Sequence, residues 1–371
     1  MIDEIKIKNF KCFLTSTNVP LSKITVCTGM NSVGKSTLIQ AILLMWESYN
    51  GFKNNADKNV PINVLINTSA LKLGSTTQIM PDKHMMLSAN DMCFHYAAGE
   101  DKLSLILENR EDMVRGKLFD SMLYYLNAER VGPRSYQQMR SLGKLHCGYY
   151  GEYTFDVIQK NPLREISEKR HFAPKSDSKT QSLDKQIDLW VSYIVNGVEV
   201  NFTSNIDTQT AQMQVRQPAL DTPKGSPNNF GFGISYVLPI ITTGLIAEKK
   251  SIVIIENPEA HLHPAGQSRI GEFLAQISCD DVQVIIETHS EHVLNGIRKY
   301  ALKNEIKPED VCINYFSVCE DSQNNKNSSA SIEINRLPLN ERMDILNWPN
   351  GFFDQEALDL KELRLLRGAT K

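Results

Sequence analysis

The sequence predicts an α/β fold organised on a parallel sheet, and three observations lead there. Gly29-Met30-Asn31-Ser32-Val33-Gly34-Lys35-Ser36-Thr37 fits G-x-x-x-x-G-K-[ST] at every fixed position, with a β-prone run before it and a helical pattern after it. Ser251–Ile255 and Val282–Ile286 are nearly continuous β-branched runs, as expected of strands buried on both faces of a sheet. Between them, Gln267–Ile277 has helical spacing and completes a βαβ unit.

The other elements follow in order. Ile2–Lys8 alternates, with Ile5 and Ile7 on one side and Lys6 and Lys8 on the other, which predicts a strand with one buried face. Ile24–Cys27 is a short β-run ending at Gly29, and Ser36–Trp46 is helical through Leu38, Ile42 and Met45. Residues 50–61 turn to Gly, Asn, Lys and Asp and predict a loop. Met92–Tyr96 and Leu103–Leu107 suit hairpin strands. Residues 165–185 are rich in Lys, Arg, Ser and Asp and suit a solvated surface segment. From Asn228 glycines cluster, followed by a helical pattern over Ser235–Ala247, and 321–329 is a polar loop. No internal repeat and no heptad arm is visible. The apolar pattern of the middle keeps breaking, so a mixture of strands and helices is expected there.

With 371 residues, the chain suits one large split domain or two smaller ones. Hydrophobic residues at 41% and charged residues at 22% indicate a folded chain. A net charge of −3 advertises no broad nucleic-acid surface. The seven cysteines contain no CxxC pair and suit reduced thiols in the cytoplasm. Met1–Lys6 lacks an apolar signal region, and no run is long enough to span a bilayer, so no membrane role is expected.

The glycine loop has the chemistry of a phosphate cradle. Glycines let backbone N–H groups turn inward, and the following helix adds its positive end. Lys35 is expected at the β- and γ-phosphates of ATP and Ser36 at magnesium, with Asn31, Ser32, Gly34 and Thr37 completing the loop. Glu256 ends the first β-branched run, where a carboxylate can hold a magnesium water, so Ser36 and Glu256 are the expected metal residues. His261, His263, His289 and His292 lie just beyond the two runs, but no thiolate or tight spacing supports zinc. His289, directly after the second run, is the candidate sensor of the γ-phosphate.

Several segments resemble the SMC, RecF and OLD-type branch of ABC ATPases. Ile5–Phe13 resembles the opening of that branch, Glu256–Pro264 its Walker B and D-loop, and Glu287–Asn295 its switch-histidine segment. Asn229–Ser235 looks like its version of the signature loop. Tyr125–Pro133 and Trp348–Asp354 resemble recurring segments of a bacterial subgroup.

The resemblance implies an ABC-type head with a mixed central sheet. Residues 1–130 would form the N-terminal lobe, 131–226 an inserted mainly helical or α+β segment, and 227–371 the C-terminal lobe. It also implies a head-to-head homodimer or higher oligomer, in which Gly231, Gly233 and Ser235 of one chain meet ATP held by the other. Many ABC ATPases carry a glutamate directly after the Walker B acid; here that position is Asn257, whose amide cannot act as a base. Either Glu259 takes that role or hydrolysis is slow.

The engine does not name its load. Tyr315–Asp321 lacks the acidic pattern of a TOPRIM nuclease, so a separate effector, a nuclease or a toxin, is expected. Bacterial ATPases of this resemblance stand beside such effectors in the Septu and PARIS anti-phage systems. The alternative is a RecF-like DNA-binding ATPase in repair, with Lys160, Arg164, Lys169, Arg170, Lys175 and Lys179 as the crowded basic residues. A metabolic kinase would leave the loop at Gly231–Ser235 and His289 without roles.

Overall fold

The computed structural model describes the chain except for residues 55–61, 100, 110–117, 141–142, 173–180, 320–330, 350 and 370–371. Two six-stranded sheets enclose one long helix. The first contains β3 (Ile24–Gly29), β8 (Leu123–Leu126), β12 (Ile252–Glu256), β13 (Gln283–Glu287), β14 (Val311–Cys319) and β15 (Ser331–Leu337), in the order β15-β14-β3-β13-β12-β8. All its neighbours are parallel except β14 and β15, so the sheet is mixed, as expected. The second is antiparallel and contains β1 (Glu4–Lys8), β2 (Thr17–Pro20), β4 (Ile62–Leu65), β5 (His84–Ala89), β6 (Met92–Ala98) and β7 (Ser104–Leu107), in the order β2-β1-β5-β6-β7-β4.

Side chains alternate across a strand, so each strand of the parallel sheet feeds two cores. Ile252 and Ile254 of β12 join Ile285 and Phe316 in a core with α1 (Lys35–Asn54) and the buried face of the antiparallel sheet. Val253 and Ile255 point the other way, into a core with α4 (Leu183–Ile194), α5 (Phe232–Ile246), α6 (Pro264–Ser278) and α7 (Glu291–Lys303). Burial on both faces explains why β12 and β13 read as continuous apolar runs.

The expected strand at Ile2–Lys8 is β1, with Ile5 and Ile7 fully buried. The two expected hairpin strands are β6 and β7, paired at Tyr96 with Leu107. Helix α1 runs past the expected Trp46 because Tyr49 is buried against the Phe119 ring, 6.0 Å away, and Ser48 lies between the Leu44 carbonyl and the Tyr96 hydroxyl. Tertiary burial therefore extends the helix beyond its apolar spacing. The rest of the expected 50–61 loop and the 321–329 loop lie outside the described residues.

The middle of the chain is α+β. α2 (Thr76–Ile79) precedes it, and α3 (Thr154–Lys160) and α4 flank a three-stranded sheet, β10-β11-β9, of Tyr136–Gln138 (β9), Glu199–Asn205 (β10) and Thr210–Arg216 (β11). Its apolar residues, such as Phe155, Trp190 and Met213, share one cluster with Val237, Phe273 and Val284. No helix among the described residues is long and apolar enough to cross a membrane.

Helices α6 and α7, which follow β12 and β13, cross at two glycines. A Cβ on Gly296 would lie 1.9 Å from the Ser268 carbonyl oxygen, and one on Gly271 would lie 2.2 Å from that of Val293. Gly296→Ala must push the helices apart, and we expect a loss of about 3 kcal/mol. Denaturant midpoints would register it; a midpoint equal to wild type would show that the crossing yields freely.

Candidate nucleotide site

The phosphate loop is set by close backbone approach. Gly29 has φ 138° and pairs with Phe316 of β14; a Cβ there would lie 2.1 Å from the Phe316 carbonyl oxygen. Gly34, at φ 98°, lies against the Phe13 ring, which leaves 2.9 Å for a side chain. Lys35 begins α1 and donates from Nζ to the carbonyls of Gly29, at 3.0 Å, and Met30. A cavity of about 530 Å³ opens over the loop, within the ~300–1,000 Å³ usual for small-ligand sites. Asn31, Ser32, Gly34, Lys35, Ser36 and Thr37 line it together with Glu287 and His289.

The parallel ladder brings the acids together. Glu256 and Glu287 are register partners at the ends of β12 and β13, and β13, not β12, lies beside β3. Glu287 therefore reaches the loop, and Ser36 Oγ donates to it, 3.0 Å from each carboxylate oxygen. Burial, then the neighbouring Glu256, push Glu287 up to about 7, against the opposite pull of Ser36 and Lys35. Glu256, the sequence's choice for the metal, instead accepts from the Tyr125 hydroxyl at 3.0 Å and from Ala128 N at 3.3 Å. Burial raises it as well.

The turn after β12 is fastened to the turn after β13. Glu259 accepts from Thr288 Oγ1 at 2.7 Å and from His289 N at 2.8 Å. Ser290 caps α7 by accepting from His292 N and Val293 N, and its hydroxyl donates to Gln267 Oε1 at 2.6 Å. His289 thus reaches the cavity from a braced turn, and burial followed by Lys35 lowers its pKa, favouring a neutral ring. Asn257 sits at φ 44°, a left-handed conformation that asparagine tolerates better than most residues. His263 caps α6 through Nδ1, so it has a structural partner.

The segment at Tyr125–Pro133, for which the sequence offers no chemistry, contains the clamp of this end of the sheet. Arg130 is 3% exposed and donates to the carbonyls of Glu256 at 2.6 Å, Asn257 at 2.7 Å and Asn127 at 3.1 Å. Its guanidinium lies 5.5 Å from the Tyr236 ring centre on α5, and Tyr236 packs edge-on against His261 at 4.4 Å. Burial lowers Arg130 to about 10, which leaves it charged at neutral pH.

The signature-like residues stand apart from the loop. Gly231 precedes α5 at φ 84° with open space where a side chain would be, and Gly233 packs on the His261 carbonyl. Ser235 is buried, and its Oγ has no hydrogen-bond partner among the described residues. None of the three lines the phosphate-loop cavity. A neighbouring cavity of about 370 Å³ joins Glu259 and His289 to Phe353 and to the start of α8 (Gln355–Ala369). The Trp348–Asp354 segment is anchored there by Phe352, 1% exposed, which packs on Tyr315 and Trp348; its Asn350 lies outside the described residues.

The model for the AAA ATPase domain matches residues 1–140 and 152–294. The chain belongs to the AAA ATPase domain family. A second model, of a protein of unknown function (DUF3696), matches residues 306–363. The OLD nuclease of Thermus scotoductus is 22% identical over 393 residues, covering 93% of this chain and 68% of the relative. Among solved structures, the SMC head bound to the C-winged helix domain of ScpA matches with a TM-score of 0.52 at 15% identity, covering 93% of this chain and 99% of that one. That likeness is one of fold, an SMC-head-like mixed α/β ATPase.

In this AAA ATPase, sequence reasoning missed Glu287 and Arg130. Glu287 had a visible signal, since β13 ends like β12 in apolar residues and then an acid. Arg130 had none, because its partners are backbone carbonyls. One of the crowded basic residues is placed differently: Arg170 is 3% exposed and ion-paired with Asp280 at 2.9 Å, with Nη1 on carbonyls at the end of α5, so it is a core residue and not a DNA contact. Lys160, Arg164 and Lys169 are exposed, and Lys175 and Lys179 lie outside the described residues.

Two outcomes follow for the nucleotide-free, metal-free protein. The raised Glu287 takes up a proton on folding, so its contribution to stability is full below about 4.5 and is lost as pH rises through about 7. Melting curves across that window should fall for wild type by no more than about 3 kcal/mol relative to Glu287→Gln, with parallel curves refuting the shift. Arg130→Ala strands three carbonyls and should cost roughly 2–4 kcal/mol in denaturant unfolding; a loss under about 1 kcal/mol would mean that water replaces the guanidinium freely.

Proposed function

We propose that the chain is an ATP-binding, slowly hydrolysing ATPase that closes head to head on a second copy and thereby controls a separate effector. The observation that carries this reading is the split of the site. Lys35, Ser36, Glu287 and His289 face one cavity, while Gly231, Gly233 and Ser235 present a helix start, with a buried hydroxyl unpartnered among the described residues, elsewhere on the same chain. A second copy would bring that helix start to the nucleotide.

The residues fit magnesium and phosphate. Ser36 and Glu287 put hard oxygens together beside Lys35, with Glu256 one strand away, and these are the groups that would hold the ion or its waters. The ion would neutralise phosphate charge. Lys35 would bind the β- and γ-phosphates, His289 would contact the γ-phosphate, and Glu259 would keep that turn in place. Asn257 cannot accept a proton from water, and Glu259 is already bonded to Thr288 and His289, so turnover should be slow. The effector as nuclease or toxin, its place in anti-phage defence, and a cytoplasmic setting rest on the resemblance and on thiol usage. The OLD nuclease relative makes nucleolytic output the first to assay in a copurifying protein.

Mass in solution with ATP and magnesium tests the clamp. Wild type should shift to a dimer or larger, while Lys35→Ala and Ser235→Arg should stay smaller; a mass indifferent to ATP would sink it. Asn257→Glu should raise phosphate release by about tenfold or more if the missing base limits turnover. Unchanged or lower turnover in the folded variant would count against that account.

A further inference from the structure

The middle segment holds another cavity, of about 330 Å³, that shares no lining residue with the phosphate-loop cavity. Four cations line it, Arg140, Lys144, Lys160 and Arg164, against one carboxylate, Asp156. The chain as a whole carries a net charge of −3, so this concentration of positive charge runs against its composition.

Two of the cations are held in place. Asp156, with its side chain 2% exposed, binds Arg140 Nε at 3.0 Å and Lys160 Nζ at 2.7 Å. Arg140 also lies 4.3 Å from the Tyr153 ring centre and donates from Nη2 to the His146 carbonyl at 3.2 Å. The other two are uncommitted: Lys144 and Arg164 make no ion pair or side-chain hydrogen bond among the described residues. His146 adds no positive charge at neutral pH, because burial and then Arg140 and Lys144 hold its imidazole below the ordinary value.

Like charges gathered in a concavity repel, and water screens them less there than on a flat surface. An entering anion offsets that cost. Guanidinium forks and ammonium groups fit phosphate oxygens, and preset cations lose little entropy in binding them. We propose that this cleft is a second phosphate site, taking the phosphate groups of a polyanion independently of the nucleotide at the phosphate loop. Two sources share that chemistry, the phosphodiesters of a nucleic-acid strand and a free polyphosphate.

The test uses the full chain carrying Lys35→Ala, so that the phosphate loop does not confuse the readout. A labelled single-stranded oligonucleotide is followed by anisotropy, and inorganic tripolyphosphate by calorimetry. Lys144→Glu/Arg164→Glu should weaken the ligand that binds by at least about tenfold, and should reduce the salt slope for an oligonucleotide by about 1.4. The neutral pair Lys144→Gln/Arg164→Gln should show a smaller loss in the same direction, and it carries the test if charge reversal unfolds the chain. Lys303→Glu, an exposed change on α7, should leave binding intact. Oligonucleotide binding lost in the cleft variants assigns the strand, and tripolyphosphate binding lost in them assigns the free anion. Failure of both ligands to bind, or binding equal in cleft and control variants, overturns the site.

Discussion

The parallel ladder between β12, β13 and β3 is the constraint on which the site depends. Its register sets Glu256 opposite Glu287 and Glu287 opposite Cys27, at the carboxyl ends of strands buried on both faces. Two carboxylates side by side in a half-dry place repel, and the structure answers with Ser36 on one and Tyr125 and Ala128 on the other. Burial first, and then that pairing, raise the affinity of Glu287 for a proton. A one-residue slip of β13 would turn Glu287 to the opposite face and send the apolar side chains of that strand into the wrong cores.

The same end of the sheet is linked to the start of α5. Arg130 holds the carbonyls of Glu256 and Asn257 and lies over Tyr236, which touches His261. The turn after β12 and the start of α5 therefore belong to one packed unit. On the other side, Glu259 ties that turn to Thr288 and His289. The start of α5, the two acids and the histidine are thus joined by contiguous side-chain contacts, Arg130 being the buried member.

Much of this was legible in the chain. The glycine loop announces itself because phosphate binding needs backbone approach at fixed spacing, and Gly29 and Gly34 do occupy positive φ. β12 and β13 are legible because burial on both faces erases alternation. The mixed character of the middle was legible from its broken pattern. Less was visible wherever a residue acts through backbone carbonyls or through the order of strands. Arg170 looked like a surface charge because its neighbours in sequence are charged, yet it fills the core against Asp280 and the end of α5. α1 outran its apolar spacing because Tyr49 found Phe119, a contact about 70 positions away.

By itself the sequence determined the chemistry on offer: a phosphate loop with Lys35 and Ser36, an acid at the end of each β-branched run, a histidine after the second, and an amide where a base is usual. These are local properties, set by residue type and spacing. Only the tertiary structure decided which acid meets Ser36, because that depends on β13 lying between β3 and β12, an order no local pattern encodes. It also decided that Arg130 is the clamp and that Arg140, Lys144, Lys160 and Arg164 share one cleft, since each of these rests on groups brought together by chain reversal and by burial of the two cores.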